Sequence, residues 1–502
     1  MDVISCILCL LLTWMLVIAL QSIAKRLKPT STKLPPGPRS FPVIGNLLGL
    51  GDKPHKALAR LAKVHGPIMT LKLGQVTTIV ISSDNMAKQV LQIHDLYFCN
   101  RTIPDALYAH QHHEFSMAWL PVSSAWRNLR KICNSHIFTS QKLDANQDLR
   151  RKKVQELLAY VQESCRAARA VDIGQAAFST SLNLISNTIF SIDLADPNSD
   201  IAREFKELVW GIMVEAGKPN LADFFPVLKK IDPQGRRSRM TVYFGKMLEL
   251  FDHMIDQRLQ LKEGQDYVKS KDMLDILLEV IAENRSEEID RNNIKHLFVD
   301  LFAAGTETTS STLEWALAEL LHNPEALSKV KLELEQTIGK GNLVEESDVT
   351  RLPYLQAIVK ETFRLHPAVP LLLPRKASND IEVGGFTIPK DSQIFVNAWA
   401  IGRDPSTWDN PNSFVPERFF GSDLDVKGRN FELIPFGGGR RICPGLPLAI
   451  RMLPLILGSL IHSFDWKLET VTPKNMDMDD KFGITLQMAE PLLAVPIACY
   501  LE

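Results

Sequence analysis

From Phe436 to Gly445 the chain reads Phe-Gly-Gly-Gly-Arg-Arg-Ile-Cys-Pro-Gly, its densest run of chemically distinctive residues. Glycine has no Cβ, so such a loop lets the backbone come close to something flat or bulky. Cys443 stands just ahead of an apolar run, Leu446 to Phe464, that predicts a helix, with Arg440 and Arg441 beside it. A thiol at a helix N-terminus next to guanidinium groups is expected as the thiolate that binds metals. Haem iron is a metal that takes a lone cysteinate. The bland alternative is a glycine-rich turn around a buried, inert cysteine.

A second constellation is Ala303-Ala304-Gly305-Thr306-Glu307-Thr308-Thr309, small and polar inside a run that otherwise predicts one long helix. Asp290 can cap that helix and Asn323-Pro324 stops it, about 32 residues or roughly 48 Å later. Threonine hydroxyls there can bond back to the preceding turn. Gly305 is expected to leave a groove for a small molecule, and Glu307 beside Thr308 forms a candidate proton relay. A helix crossing with small residues at the contact explains the same pattern.

Three further groups could serve a site. Glu361 and Arg364 lie at i, i+3 on a helix opened by Pro353 and closed at His366-Pro367. If buried, the pair needs a third polar partner, and Arg418 in Pro416-Glu417-Arg418-Phe419 is the candidate. Trp126 and Arg130 share a helical face suited to an anionic group on a planar ligand. His110, His112 and His113 could bind a metal, but they lie in an irregular stretch without acidic or cysteine partners, which favours a solvated role.

The chain that must position these groups has 502 residues, 45% hydrophobic and 23% charged, enough for one large domain or two closely merged ones. A net charge of -1 gives no sign of nucleic acid. Seven scattered cysteines exclude a zinc ribbon or a disulfide framework. Val3 to Ala24 carries no charge and spans about 33 Å as a helix, enough to cross a bilayer. Lys25, Arg26 and Lys28 follow, so residues 1–24 are expected to be an uncleaved anchor with the body in the cytosol. Residues 25–38, ending in Leu34-Pro35-Pro36-Gly37-Pro38, form a basic, stiff hinge, and 39–502 the folded body. Within it, Ile68–Leu73 and Thr77–Ile81 predict a hairpin around Gly74-Gln75. Gln141 to about Glu288 reads as amphipathic helices broken at Asp196-Pro197-Asn198 and Lys218-Pro219-Asn220. Ile381–Asn397 and Ile484–Ile497 predict short antiparallel strands, and Pro454 a kink in the last helix.

Together these motifs resemble the cytochromes P-450, the haem-thiolate monooxygenases, along essentially the whole chain. The haem loop pattern Phe-x-x-Gly-x-Arg-x-Cys-x-Gly is matched by Phe436, Gly439, Arg441, Cys443 and Gly445. The oxygen-activating helix motif is matched by Ala304, Gly305, Glu307, Thr308 and Thr309, and the Glu-x-x-Arg motif by Glu361 and Arg364. Pro416–Phe419, Trp126 with Arg130, and the proline hinge complete the likeness.

The resemblance implies a mainly α fold with small β-sheets behind an N-terminal transmembrane helix. It implies haem b (iron protoporphyrin IX) between the long helix and the Cys443 loop, with Trp126, Arg130, Arg375 and Arg441 on its propionates. Cys443 would be the metal ligand, Glu307 and Thr308 the proton donors in oxygen activation, and Glu361, Arg364 and Arg418 structural. The substrate pocket would be Ile103, Phe115, Val209, Phe298, Ala304, Val369, Leu371 and Ile484. Electrons would come from NADPH through NADPH–cytochrome P-450 reductase at the endoplasmic reticulum membrane, with Arg127, Lys131, Arg440 and Arg451 as a basic docking face. Gly217–Asn220, Asp232–Gly235 and Asn397–Asp404 resemble the plant geraniol 8-hydroxylases and their terpenoid-oxidising relatives. The implied reaction is hydroxylation of geraniol or a related monoterpene alcohol at an allylic methyl. The alternatives are another prenyl or terpenoid substrate, such as geranylhydroquinone or an abietane-type diterpene, or an oxygen-independent isomerase or dehydratase. Enzymes of that last kind tend to lose the acid–threonine pair present here.

Overall fold

A computed structural model describes residues 33–195, 200–264, 272–283, 289–469 and 472–499, together with Thr13. The expected anchor, the hinge up to residue 32 and the break at Asp196-Pro197-Asn198 lie outside the described residues. Helices dominate, and those that frame the site are α1 (Pro54–His65), α2 (Ser124–Ile132), α3 (Ile173–Phe190), α4 (Arg236–Glu263), α5 (Arg291–His322), α6 (Pro353–Leu365) and α7 (Leu446–Ser463). The helix expected to span the body is α5, 32 residues long. It opens on a reciprocal cap: Asp290 accepts from the Asn293 amide at 2.9 Å, and Asn293 accepts from the Asp290 amide at 3.0 Å.

Helix α5 threads two apolar cores. Its first half puts Ile294, Leu297, Phe298 and Phe302 among the aromatic side chains of α4 and its neighbours. Its last turns put Leu313, Trp315, Leu317 and Leu320 against α6 and α7. The polar interruption falls between the two. Gly305 does not open a groove there: a Cβ on it would meet Ile185 Cδ1 of α3 at 2.6 Å, so this glycine lets two helices cross closely. The side chain beside it, Ala304, is the exposed one.

Small sheets flank the helices. The strands are β1 (Ile68–Leu73), β2 (Val76–Ile81), β3 (Asn100–Arg101), β4 (Val171–Asp172), β5 (Arg375–Lys376) and β6 (Ile381–Val383). They continue with β7 (Phe386–Ile388), β8 (Gln393–Val396), β9 (Phe464–Leu468), β10 (Asp480–Lys481), β11 (Gln487–Met488) and β12 (Leu493–Ala498). The β1–β2 hairpin forms as expected, and β6 and β7 pair antiparallel around Gly384-Gly385. Strand β8 departs from expectation by leaving that hairpin to run parallel beside β2 in a five-stranded sheet ordered β1-β2-β8-β5-β3. Ile79, Val80 and Ile81 pair there with Ile394, Phe395 and Val396, an apolar seam buried at all but the half-buried Phe395, of the kind parallel pairs favour. Within Ile484–Ile497 short antiparallel strands form as expected, β11 and β12, but β11 pairs with β10 and β12 with β4 and β9, and residues 482–486 form a loop that enters the site.

Among the described residues one helix, α7, is long and apolar enough to cross a membrane, and 67% of its apolar window is buried inside the protein. It runs as one element through Pro454, and nothing in the structure explains a proline there.

Candidate active site

The glycine-rich loop folds back on itself, and the Cys443 amide donates to the Phe436 carbonyl at 3.0 Å. The Phe436 ring packs edge-on against Phe363 of α6 at 5.1 Å, which fixes the loop to the helix bearing Glu361. Gly439 holds φ +66, and a Cβ on it would sit 2.0 Å from the Leu91 carbonyl oxygen; only glycine fits. Cys443 then sits at the head of α7, where its sulfur accepts from the amides of Gly445 and Leu446.

Its expected activation by flanking arginines is not found. Arg440 turns to Asp95 at 2.7 Å, and Arg441 donates to the carbonyls of Cys99 at 2.8 Å, Met117 at 3.1 Å and Leu120. Burial pushes the Cys443 thiol up, against only the two amides and the charge of Arg130. A metal ion held at this sulfur would supply the deprotonation, since a coordinating thiol gives up its proton.

Around this loop the fold gathers four arginines: Arg101, Arg130, Arg375 and Arg441. Trp126 lies under one of them, its ring 4.6 Å from the Arg441 guanidinium and its Nε1 donating to the Met117 carbonyl at 3.0 Å. Arg375 donates to Asp95 at 3.3 Å and to the Gly438 carbonyl at 3.0 Å. Burial and the charges of Arg375 and Arg441 push Arg101 well below its ordinary range, and burial lowers Arg441 to about 10. Arg101 Nε is buried without a partner. Asp95 is the carboxylate that faces Arg375 and Arg440, and it does not balance such a cluster. Cations held this close fit an anionic ligand, and a cysteine sulfur beside them fits that ligand's metal. The donor set thus suits haem with its two carboxylates, and Arg101, which sequence reasoning missed, belongs to it.

On α5, Thr306, Thr308, Thr309 and Thr312 donate back to the carbonyls of Phe302, Ala304, Gly305 and Thr308, as expected of hydroxyls in this segment. Glu307 and Thr308 do not meet. The Glu307 carboxylate turns away and accepts from Gln487 Nε2 at 2.6 Å and Thr485 Oγ1 at 3.3 Å, both on the C-terminal segment. The expected relay is therefore two separate groups one residue apart, each with its own partners.

Burial pushes Glu307 from its ordinary 4.5 up to about 7. An unfolded chain would ionise it near 4.5, so the folded protein binds the extra proton between these values and loses stability as pH rises through them. Glu307→Gln lacks that titration, so it should gain on the wild type between about pH 5 and about pH 8, with a ceiling of ~3 kcal/mol. Thermal unfolding of both proteins at the two pH values checks this, and an unchanged difference between them would dismiss it.

Four of the eight expected pocket residues, Ile103, Val369, Leu371 and Ile484, line a cavity of about 630 Å³ shared with Arg101, Trp119 and Phe482. Ala304 is exposed on α5. Val209 and Phe298 are corrected: both are 0% exposed in the aromatic core, where Phe298 lies edge-on to Phe190 at 5.1 Å and to Phe251 at 5.5 Å. Phe115 stacks on His296 at 5.1 Å. The histidine cluster is also corrected. His110 stays at the surface on the Thr241 carbonyl, but His112 is buried, its Nδ1 2.8 Å from Nδ1 of His296.

Glu361, Arg364 and Arg418 meet as expected, with Arg364 gripping the carboxylate twice at 2.7 Å and Arg418 adding a contact at 3.1 Å. Of the expected docking residues Arg127 and Lys131 are exposed, while Arg451 is bound to Asp144 and Glu346, and Arg440 to Asp95.

Comparison with known proteins agrees with this donor set. The family model described as Cytochrome P450 matches residues 35–493. Geraniol 8-hydroxylase of Catharanthus roseus is 58% identical over 497 residues, 99% of each chain. Geraniol 8-hydroxylase of Swertia mussotii is 60% identical over 466 residues, covering 93% of this chain and 94% of its own. Drimenol monooxygenase of Persicaria hydropiper is 55% identical over 470 residues, 93% of each.

Proposed function

The chain belongs to the cytochrome P450 family, and from that premise we propose that it hydroxylates geraniol or a related monoterpene alcohol at an allylic methyl, using O2 and NADPH-derived electrons. The observation that carries the chemistry is Cys443 at the head of α7, with Arg130 beside its sulfur and Arg101, Arg375 and Arg441 clustered around the same loop. The substrate class is supported by the names of the relatives and by the apolar wall of Ile103, Val369, Leu371 and Ile484.

Haem bound through a cysteinate supplies oxygen activation, because the thiolate pushes electron density that favours O–O cleavage. Cys443 would hold the iron, and Trp126, Arg101, Arg130, Arg375 and Arg441 would take the carboxylates. Glu307, poised near neutrality, can both hold and release a proton at its carboxylate under working conditions. Thr485 and Gln487 keep that carboxylate buried behind α5. Thr308 presents its hydroxyl oxygen while donating its proton to the Ala304 carbonyl at 2.6 Å, so it can accept one proton and pass on another. Thr308→Ala should leave NADPH use running while product falls about tenfold or more and peroxide rises in its place. Unchanged coupling of NADPH to product would remove Thr308 from proton delivery.

The charge-free run Val3–Ala24 followed by Lys25, Arg26 and Lys28 supports a single-pass anchor in the endoplasmic reticulum membrane with the body in the cytosol. The electron donor would be the membrane-bound NADPH–cytochrome P-450 reductase, with exposed Arg127 and Lys131 favouring an acidic partner. The deciding experiment incubates microsomes bearing the protein with reductase and NADPH against geraniol, nerol, geranylhydroquinone and an abietane olefin. Geraniol hydroxylated at its far methyl is the expected product. Oxidation of the hydroquinone or the diterpene with geraniol untouched would overturn the substrate.

A further inference from the structure

Asp300 lies on α5 at i, i+4, i+8 with Ala304 and Thr308, so the three share one face of the helix. Its carboxylate accepts from Ser116 Oγ at 2.7 and 2.8 Å and from the Ala118 amide at 3.3 Å, and lies 3.3 Å from His112 Nε2. All three partners belong to the segment before α2. His112 also meets His296, one turn earlier on α5, at 2.8 Å, and His296 stacks on Phe115. Burial lowers His296 to about 3, so it stays neutral and takes part as a hydrogen-bonding ring. Five contacts thus seat residues 112–118 on one side of the long helix.

The same segment is held from the opposite side by the site. The Met117 carbonyl accepts from Trp126 and Arg441, and the Leu120 carbonyl accepts from Arg441. Between these anchor points stands Trp119, which lines the cavity. Its backbone neighbour, Ala118, is the residue whose amide Asp300 holds.

We propose that Asp300 is a specificity-determining positioning residue: by seating residues 112–118 on α5 it fixes where Trp119 closes the substrate cavity. A carboxylate that holds a hydroxyl, an amide and an imidazole at once has no apolar substitute: its loss would strip Ser116 Oγ and His112 Nε2 of this acceptor and leave the Ala118 amide only Ser116 Oγ, at 3.1 Å. The proposal rests on the monooxygenase reading only for what the cavity receives.

The test uses the full-length, haem-loaded protein carrying Asp300→Ala, Asp300→Asn, Ser116→Ala or Ser116→Thr. Amide hydrogen exchange over residues 112–120 needs no substrate. The Ala118 amide should exchange at least about tenfold faster in Asp300→Ala and near the wild-type rate in Ser116→Thr, which keeps the hydroxyl. Optical titration with geraniol should show about tenfold weaker binding in Asp300→Ala, and its product should spread over more than one carbon. The reduced carbon-monoxide band should stay at wild-type height, which separates positioning from loss of fold. If Asp300→Ala fails to accumulate, Asp300→Asn and Ser116→Ala carry the same readings. Wild-type exchange at Ala118, or faster exchange with product distribution and affinity unchanged, would overturn the proposal. Should the wild type itself ignore geraniol, the substrate reading fails, and affinity and product distribution are then compared for whichever member of the substrate panel the wild type oxidises.

Discussion

Glu361→Ala is expected to yield almost no haem-loaded protein. Glu361 and Arg364 are both 0% exposed in their side chains, and among the described residues the Glu361 carboxylate is the charge that pairs with both Arg364 and Arg418. It receives two bonds from Arg364 at 2.7 Å, one from Arg418 at 3.1 Å and one from the Val415 amide at 2.8 Å. The remaining Arg364 donors reach the carbonyls of Gly402 and Pro411 at 2.6 Å and of Ser413 at 2.9 Å. Removing the carboxylate strands a buried guanidinium, a loss of roughly 3–5 kcal/mol. A domain has about 5–15 kcal/mol in total. Arg364→Lys should fare little better, because an ammonium has three donors and no planar fork. The measurement is the yield of the reduced carbon-monoxide band per milligram of protein, with a thermal melt of whatever accumulates. A soluble Glu361→Ala protein melting within a few degrees of the wild type would show that the carbonyls alone can hold Arg364.

Cys443→Ser should have the opposite character, with the fold kept and the chemistry gone. A serine oxygen can still accept from the amides of Gly445 and Leu446, and the Cys443 amide contact to Phe436 involves backbone alone. What disappears is the thiolate, so the reduced carbon-monoxide complex should lose its long-wavelength Soret band and hydroxylation should fall to background. Far-ultraviolet circular dichroism and the melting temperature should stay close to wild type. Survival of the long-wavelength band would mean that another residue holds the iron.

What could be read in advance was what spacing or a local cap encodes. The Asp290 cap, the β1–β2 hairpin and the Glu361–Arg364 pair follow from residues three or four positions apart, or from a turn. Arg418 could be named because a buried ion pair demands a third partner, whatever its distance in sequence. The partners of Glu307 could not, because Thr485 and Gln487 lie 178 and 180 residues away and nothing near them announces a carboxylate. His112 was misjudged for the same reason, since its partners His296 and Asp300 belong to another element. Val209 and Phe298 show the limit of reading by position: a residue on the right helix still points into the core when neighbouring aromatics leave no space. Gly305 shows that a small residue beside a site can serve a helix crossing instead.

The segment from Asp480 to Met488 joins α1, the cavity wall, Glu307 and the middle turns of α5. Asp480 binds Lys56 of α1 at 2.7 Å, Phe482 and Ile484 wall the cavity, Thr485 and Gln487 hold Glu307, and the Leu486 carbonyl accepts from Ser311 and Trp315 of α5. Cavity wall, buried carboxylate and the middle turns of α5 are thus set by one stretch of chain. Residues that share partners in this way do not act independently, so a change at Thr485 or Gln487 moves the shape of the cavity and the protonation of Glu307 together.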